Sequence, residues 1–374
     1  MFPDRVAFME TILAEYLDEF TRRDWQTMDP ASVTDPVRVA VVGLGWFARE
    51  WALPGIERSA FTEAAVVTDV DPAAVEAVTA DRSVTGVAPE AFRAGDVADE
   101  YDAVYVATPN ATHLEYVTAA AEQGQAVLCE KPLEATLDRA RRLVDACRDA
   151  GVPLMTGYRM QTDPAVRRLR DLLQAGVAGD VISVHAAMSQ TMLGELGSDH
   201  DQWRLDADLS GGCAVMDLGV YPLNTTRFVL GADPVRVSGR TRTDHEPFAD
   251  VDEHATFRLE FPDDVDTLCS VSQNAQHASR LEVTGTDARL ILDPAFYERE
   301  DRGFAVVRDG TRVDVDFDQV HQIEEEFAYF GHQLLTGEPF HPDGEHALTD
   351  VRALDGIYTS ADTGRPVTLA DDER

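Results

Sequence analysis

Residues 37–48 read VRVAVVGLGWFA, an apolar run that leads directly into two glycines separated by one residue. The run predicts a buried strand, and the G-x-G-x-x-A pattern after it is typical of the turn that binds a dinucleotide. Gly43 would form the tight turn, Gly45 would let the backbone approach a pyrophosphate, and Ala48 would allow close packing of the following helix. The predicted cofactor contacts in this loop are Gly43, Gly45, Trp46, Phe47 and Ala48.

A second apolar run, residues 64–68, ends at Asp69. Folds of this kind place an acid about 20 residues after the glycine turn, where it accepts hydrogen bonds from the adenosine ribose. A carboxylate accepts ribose hydroxyls well but repels a 2′-phosphate. Asp69 by itself therefore favours NAD over NADP.

The alternation of strand and helix continues to residue 156. The predicted helices cover residues 73–80, 113–123 and 137–148, and the predicted strands cover residues 103–107, 126–129 and 152–156. This order predicts a doubly wound parallel sheet that holds its ligand at the carboxyl ends of the strands. The predicted cofactor neighbours after those ends are Thr108, Pro109, Asn110, Glu130 and Lys131. His113 would either contact the cofactor or pack and cap the next helix.

The character of the sequence changes after Tyr158. A helical segment, residues 165–174, precedes runs that alternate polar and apolar residues, at 181–188, 235–241, 254–261, 267–273, 281–284, 289–292 and 304–307. These runs predict a large, mainly antiparallel open sheet, with helices 219–230 and 323–335 on one face. A last helix, 347–361, is expected to pack back against the first domain.

The length of 374 residues indicates two domains or slightly more, because single cores seldom exceed about 250–300 residues. The predicted class is α/β, with a Rossmann dinucleotide-binding domain followed by an α+β domain. The predicted divisions are an N-terminal helical extension (1–36), the dinucleotide-binding domain (37–158), a domain for substrate and oligomerisation (159–344), and a C-terminal helix and tail (345–374).

The N-terminal segment, the absence of a long apolar run and the spacing of the cysteines predict a cytoplasmic protein. Residues 1–25 carry apolar side chains at helical spacing among acids, which predicts an amphipathic helix rather than a signal peptide. No later segment approaches the roughly 20 apolar residues of a membrane span. Neither paired nor metal-type spacing links the cysteines, which are expected to be reduced core residues: Cys129, Cys147, Cys213 and Cys269. The histidines also lack ligand spacing, so no metal site is predicted: His185, His245, His254 and His277.

The charge of the chain is strongly negative, with 68 Asp plus Glu against 32 Lys plus Arg, a formal net charge of −36 and a pI of about 4.4. With 44% hydrophobic residues, the chain is too apolar for a disordered polyelectrolyte. The negative field argues against binding nucleic acid or an anionic membrane. Such a composition is typical of proteins from organisms that live in concentrated salt, because the salt screens the repulsion among the acidic side chains. We therefore expect the fold or assembly to be lost at low ionic strength.

Lysine occurs once, at Lys131, in the tripeptide Glu130-Lys131-Pro132. An arginine could serve an ordinary salt bridge with Glu130, but its guanidinium cannot be usefully deprotonated. Retention of the only lysine at this position therefore favours a chemical role over a purely structural one.

Three further patterns line up with the glycine turn: residues 107–110 with His113, residues 130–132, and the segment GGCAVMDLGVY at residues 211–221. In this order they resemble the Gfo/Idh/MocA oxidoreductase family, and the resemblance covers essentially everything after Pro36. It implies that Lys131 points at the substrate hydroxyl that loses a proton while hydride goes to the nicotinamide. We expect burial and the cationic nicotinamide to lower the pKa of Lys131 toward working pH.

The same resemblance implies the remaining site residues. Many relatives have histidine at the position of Tyr221, whereas the sugar-oxidising and dihydrodiol-oxidising members have tyrosine there. Tyr221 is the expected acid/base contact to the reacting hydroxyl. Asp217 lies four residues earlier, on the same predicted helix face, where it would bind another sugar hydroxyl or stabilise the helix N-terminus. Residues that match family positions near the sugar pocket, and that could equally lie at a domain interface, are Tyr158, Arg159, Trp203 and Arg204.

Within the family, the acidity, the N-terminal extension and the tyrosine resemble the haloarchaeal D-xylose dehydrogenases. This resemblance implies oxidation of an aldopentose at C1 to the lactone, with NADP as the hydride acceptor. Asp69, by contrast, favours NAD. A rotated Asp69, Arg82 or screening by high salt could make room for the 2′-phosphate of NADP. The alternatives are an inositol or trans-dihydrodiol dehydrogenase, or a non-catalytic sugar- and cofactor-sensing regulator. A small-molecule sugar is the expected partner, and the open sheet favours a homo-oligomer, either dimer or tetramer.

Overall fold

The computed structural model describes residues 20–195 and 202–369 and contains two large sheets. A six-stranded parallel sheet and a nine-stranded mixed sheet confirm the predicted α/β class. Most of the predicted N-terminal helix, residues 1–19, lies outside the described residues. Residues 20–25 form turns and irregular backbone rather than the end of that helix.

The first sheet has the strand order β3-β2-β1-β4-β5-β6, with every neighbouring pair parallel. Its strands are β1 (Val37–Val42), β2 (Thr62–Thr68), β3 (Thr85–Val87), β4 (Ala103–Val106), β5 (Ala126–Glu130) and β6 (Leu154–Gly157). The order reverses between β1 and β4, so a crevice opens at their carboxyl ends. The sequence did not predict β3, because its three residues carry too little pattern to identify a strand.

Helices cover both faces of this sheet. They are a π-helical turn (Ala48–Ala52), α1 (Leu53–Arg58), α2 (Pro72–Asp81), α3 (Pro89–Ala94), α4 (His113–Glu122) and α5 (Leu137–Ala150). Local sequence sets their ends: the side chain of Asp71 accepts from the Ala73 amide to begin α2, and Thr136 does the same for α5. Gly151, at a φ of 70°, ends α5.

The second sheet has the order β14-β13-β12-β11-β7-β10-β9-β8-β15. Its strands are β7 (Val181–Thr191), β8 (Arg236–Arg242), β9 (His254–Glu260), β10 (Asp266–Ser272), β11 (Asn274–Gly285), β12 (Arg289–Leu292), β13 (Phe304–Arg308), β14 (Thr311–Val315) and β15 (Val367–Thr368). All neighbouring pairs are antiparallel except β7 with β10, so the prediction of a mainly antiparallel sheet is confirmed. The sequence did not predict β14 or β15.

One face of the second sheet is covered by the chain itself. On β9, Ala255, Phe257 and Leu259 are buried while Thr256 and Arg258 are exposed, the alternation of a half-buried strand. The helices that follow β6 in the chain are α6 (Pro164–Gln174), α7 (Met192–Glu195), α8 (Ala207–Ser210), α9 (Val220–Leu230), α10 (Gln322–Thr336) and α11 (Gly344–Thr363), with a π-helical turn (Ala214–Gly219) before α9. Short 3₁₀ turns lie at Pro30–Ser32, Asn110–Thr112, Arg159–Gln161, Trp203–Leu205, Glu246–Phe248 and Pro262–Asp264.

The position predicted for α10 was wrong. The sequence placed this helix on the second sheet within the domain at 159–344, but it packs on α1 and on β1 and β2 of the first sheet. Its Ile323 methyl would lie 2.9 Å from a Cβ at Gly55, so a glycine in α1 permits the close approach. An amphipathic pattern shows that a helix has an apolar face, but not which sheet will cover that face.

The last helix, α11, was expected to return to the first domain, and it does so only in part. It packs against α5 and β6 of the first half and against β8 and β15 of the second. All four cysteines are buried and free, as expected for core residues. Within residues 20–195 and 202–369, no helix combines the length and apolar character needed to cross a membrane.

Candidate functional site

The glycine turn lies at the crevice between β1 and β4. Gly43 has a φ of 92°, and a Cβ built there would come within 2.6 Å of the Ala107 carbonyl oxygen, so only glycine fits. In front of Gly45, by contrast, a Cβ would meet no atom within 4 Å, which leaves open space beside the backbone. Ala48 is buried, as its packing role requires, whereas Trp46 is exposed and Phe47 is half-buried. This cradle fits the pyrophosphate of a dinucleotide.

Asp69 is bound to the backbone of the same turn. One carboxylate oxygen accepts from the Leu44 amide at 2.5 Å, and the other accepts from the Asp71 amide at 2.8 Å. Both oxygens are therefore engaged by protein N–H groups.

The predicted cofactor neighbours after β4 are held by a network that also reaches the second half. His113 is fully buried, with its two ring nitrogens 2.9 Å from the Thr108 carbonyl oxygen and 3.1 Å from that of Leu133. It therefore packs and joins two loops, which is one of the two roles that the sequence left open. Asn110, beside Pro109, is also buried and donates to the Ser210 carbonyl at 2.8 Å.

Lys131 follows β5 and points into the second half of the chain. Its ammonium group donates to the side chain of Asp217 at 3.2 Å and to the carbonyl of Asp217 at 3.3 Å. Glu130 does not pair with this ammonium group; its carboxylate accepts from the Tyr105 hydroxyl at 2.7 Å and from the Lys131 amide at 3.1 Å. Glu130 therefore orients the backbone of Lys131, while Asp217 binds the side chain.

Asp217 lies in the π-helical turn before α9, and the buried carboxylate of Asp252 positions that turn. Asp252 accepts from the amides of Cys213 and Val215 at 2.7 and 2.8 Å, and from the Tyr358 hydroxyl at 2.7 Å. Burial of Asp252 raises its pKa in spite of these three hydrogen bonds. The turn is thus tied to α11, which carries Tyr358.

Three groups compensate the carboxylate of Asp217. Lys131 binds one oxygen, while Arg204 at 3.2 Å and the side-chain amide of Gln273 at 2.8 Å bind the other. Burial alone would raise the pKa of Asp217, but the charges of Arg204 and Lys131 and the hydrogen bonds hold it well below its usual range. Asp217 is therefore ionised at any working pH.

The pKa of Lys131 is raised in this structure, whereas sequence analysis expected it to be lowered. Burial acts to lower this pKa, but electrostatic interactions with Tyr221, Asp217 and Glu130 outweigh burial, and the pKa is raised. The expectation considered burial and the nicotinamide but not the contact with Asp217. Lys131 therefore carries its proton at neutral pH.

Tyr221 lies between two cations. The Lys131 ammonium nitrogen and the Arg159 guanidinium carbon each lie 4.6 Å from the centre of its ring. Arg159 also donates to the Tyr221 hydroxyl oxygen at 2.9 Å. Asp217 and Tyr221 thus both contact the side-chain ammonium group of Lys131.

The four residues matched to the sugar pocket divide into two groups. Arg159 is buried, and its donors are taken by Tyr221, the Phe296 carbonyl, Gln322 and Glu298. Tyr158 is also buried, with its ring 6.1 Å from that of His346. Trp203 and Arg204, however, are only half-buried and stack at 4.5 Å, beside Asp217.

Sequence reasoning missed Gln273, which directly follows β10. It is fully buried, and its amide oxygen accepts from Gln190 at 2.8 Å, which aims its NH₂ group at Asp217. The only sequence signal is an amide at the end of an alternating strand, which by itself identifies no site. Among the residues that the structure describes, no His, Cys, Asp and Glu group is arranged to hold a metal ion.

The family models match both halves of the chain. Residues 37–158 match the model of the oxidoreductase family with the NAD-binding Rossmann fold, and residues 166–291 match the GFO/IDH/MocA C-terminal domain. The chain belongs to the Gfo/Idh/MocA oxidoreductase family.

Members of the family from haloarchaea match over nearly the whole chain. The D-xylose 1-dehydrogenase [NADP(+)] of Haloarcula marismortui is 46% identical over 94% of this chain and 97% of its own length. The D-xylose 1-dehydrogenase (NADP(+)) 2 of Haloferax volcanii is 33% identical over 88% of this chain and 98% of its own length.

Two solved structures are also similar to this chain. The aldose-aldose oxidoreductase from Caulobacter crescentus, complexed with glycerol, has a TM-score of 0.84 at 27% identity and covers 90% of this chain and 100% of its own. KijD10, a 3-ketoreductase from Actinomadura kijaniata in complex with NADP and TDP-benzene, has a TM-score of 0.78 at 26% identity, with 87% and 98% covered.

The single lysine makes the electrostatics of this site directly measurable. After labelling with ¹³C-lysine, the protein should give one lysine ¹³Cε resonance, whose pH titration reports the pKa of Lys131. We expect Asp217→Asn to lower this pKa, because a negative neighbour is removed, and Arg204→Gln to raise it, because a positive neighbour is removed. The exposed Asp208 supplies a control, Asp208→Asn, which should leave the titration unchanged. An unchanged titration in Asp217→Asn would contradict the ion pair.

Proposed function

We propose that the protein oxidises D-xylose at C1 to the lactone and transfers the hydride to NADP, as a step in pentose degradation. The observation that carries the proposal is the contact of Lys131 with Asp217 and Tyr221 at the carboxyl end of the Rossmann sheet. The similarity to the NADP-dependent D-xylose 1-dehydrogenase of Haloarcula marismortui, at 46% identity, supports the choice of sugar and cofactor.

The cofactor would lie across the carboxyl ends of β1 and β4. The open space at Gly45 would accept the pyrophosphate, and the loops after β4 and β5 would border the nicotinamide. When bound, the oxidised nicotinamide supplies the hydride acceptor. The neighbouring loops are held in place by His113 and Asn110.

Tyr221 is the group that takes the proton of the C1 hydroxyl in this proposal. As the C1–H bond breaks and its electron pair leaves as hydride, the O–H bond also breaks, its proton passes to the oxygen of Tyr221 in its phenolate form, and C1–O becomes the lactone carbonyl. Lys131 is less suited to accept this proton, because it already carries its own and donates to Asp217. Lys131 and Arg159 would instead stabilise negative charge on the Tyr221 oxygen.

Arg204 and Trp203 would contact the sugar at the entrance. Both are half-buried beside Asp217, and an aromatic face with a guanidinium group can stack on a pyranose and bind its hydroxyls. Asp217 would hold Arg204 and Lys131 in position and accept from a second sugar hydroxyl.

We further propose that the enzyme is a cytoplasmic homo-oligomer. Free, buried cysteines suit a reducing compartment. The uncovered face of the second sheet carries Leu268 with 48% of its surface exposed, between His185 and Arg258, which suits burial against another copy.

Light scattering in molar KCl should give two or four times the chain mass of 41.1 kDa, and the mass of one chain would contradict the proposal.

The substrate and cofactor are tested by initial rates in molar KCl, followed by the absorbance of the reduced nicotinamide. D-xylose, D-glucose and L-arabinose are each offered with NADP and with NAD. We expect the highest kcat/KM for D-xylose with NADP. A preference for NAD would overturn the cofactor assignment, and absence of activity on every aldose would favour the polyol-dehydrogenase or sensor alternatives.

Three variants separate the roles of Tyr221 and Lys131. Tyr221→Phe and Lys131→Met should each lower kcat on the order of 10³-fold, because one loses the proton acceptor and the other loses its adjacent cation. Lys131→Arg keeps a cation that cannot be deprotonated at neutral pH, so it should retain more activity than Lys131→Met. NADPH binding, followed by fluorescence, should persist in all three. Equal inactivity of both Lys131 variants, with turnover preserved in Tyr221→Phe, would instead make Lys131 the acceptor.

A further inference from the structure

The carboxylate of Asp69, directly after β2, disfavours the binding of NADP. The 2′-phosphate of this cofactor belongs beside that strand end, where a free aspartate would repel it. In this chain both oxygens of Asp69 accept from backbone amides, those of Leu44 and Asp71. The carboxylate is therefore part of the turn, and its charge is partly compensated by the two N–H groups.

Next to Asp69 lies a cation with no partner within the described ranges. Arg49 belongs to the π-helical turn Ala48–Ala52 and is exposed, and its side chain makes neither a hydrogen bond nor an ion pair with any residue that the structure describes. It borders an open hollow that is also lined by Leu44, Gly45, Asp69, Asp71, Ala73 and Ala74. This hollow joins the glycine turn to the end of β2, where the adenosine ribose of a bound dinucleotide would lie.

The carboxylates that share the hollow with Arg49 already bind backbone groups. Asp71 caps α2 by accepting from the Ala73 amide at 3.0 Å, and Asp69 accepts from two amides. Arg82, the other cation that sequence analysis considered for the phosphate, is paired with Glu57 at 2.7 Å. Arg49 is thus the cation at this hollow that remains available to an anion, and a guanidinium group can bind a phosphate through two parallel hydrogen bonds.

We propose that Arg49 binds the 2′-phosphate of NADP and is the residue that selects NADP over NAD in the presence of Asp69. The inference rests on NADP as the cofactor, but not on which sugar is oxidised. Its test is therefore a binding measurement that needs no turnover.

The experiment compares two probes that differ only in the phosphate at issue, adenosine 2′,5′-bisphosphate and adenosine 5′-monophosphate. Their binding to the full-length, cofactor-free protein is measured by calorimetry at one KCl concentration that maintains the fold. The wild type should bind the bisphosphate more tightly. Arg49→Gln should weaken bisphosphate binding about tenfold or more, since charge-assisted hydrogen bonds are lost, and should leave monophosphate binding within about twofold.

Arg82→Gln is the matched control, because it removes a neighbouring guanidinium that is already paired. It should leave the affinity for both probes unchanged, and thermal unfolding should show that both variants are folded. The proposal is overturned if Arg49→Gln weakens both probes equally, since Arg49 would then serve the 5′-phosphate or the fold. It is also overturned if neither probe is affected, or if Arg82→Gln reproduces the selective loss. Absence of xylose oxidation would overturn the proposed function and leave this result standing.

Discussion

The contact between Lys131 and Asp217 joins the two halves of the chain at the place where the proposed chemistry occurs. Lys131 follows β5 of the parallel sheet, and Asp217 lies in the turn that leads into α9. Both side chains are largely buried, with 11% and 15% of their surfaces exposed. Removing one member of a buried pair leaves an uncompensated charge and typically costs about 3–5 kcal/mol, so the relative position of the two halves and the charge of the site depend on each other.

The surroundings of this pair explain how it is held in place. Asp252 and Tyr358 hold the turn that carries Asp217, while Arg204 and Gln273 bind the carboxylate oxygen that Lys131 does not. The close approach of the turn to other elements also requires glycine at Gly211 and Gly212, whose φ angles are 75° and 135°. The two glycines that open the segment at 211–221 therefore match the family pattern and are also required by the close packing of the backbone.

Acids dominate the composition of the chain, whereas at the site acids and bases lie close together. Acids outnumber bases more than twofold over the whole chain, which suits a protein that concentrated salt keeps compact. Around Tyr221, the cations Lys131, Arg159 and Arg204 lie near the acids Asp217, Glu130 and Glu298. Buried arginines elsewhere are paired with acids, as Arg227 is with Asp350 at 2.6 Å. Arg159 differs from these in that it contacts the ring and the hydroxyl of Tyr221 as well as an acid.

The sequence by itself determined the Rossmann half, the mainly antiparallel sheet and most of the residues for which we propose a chemical role. These features follow from short-range patterns: a glycine at a positive φ, a strand of alternating burial, and a single lysine at a strand end. Only the tertiary structure decided that α10 covers the first sheet, that Gln273 orients Asp217, that Asp69 binds the glycine turn and that Arg159 lies against Tyr221. Each of these depends on groups far apart in the chain, and periodicity specifies which face of an element is apolar or polar without specifying what that face will meet. The same reason explains the pKa of Lys131: burial lowers it, but Tyr221 and Asp217, which raise it, come from a distant part of the chain.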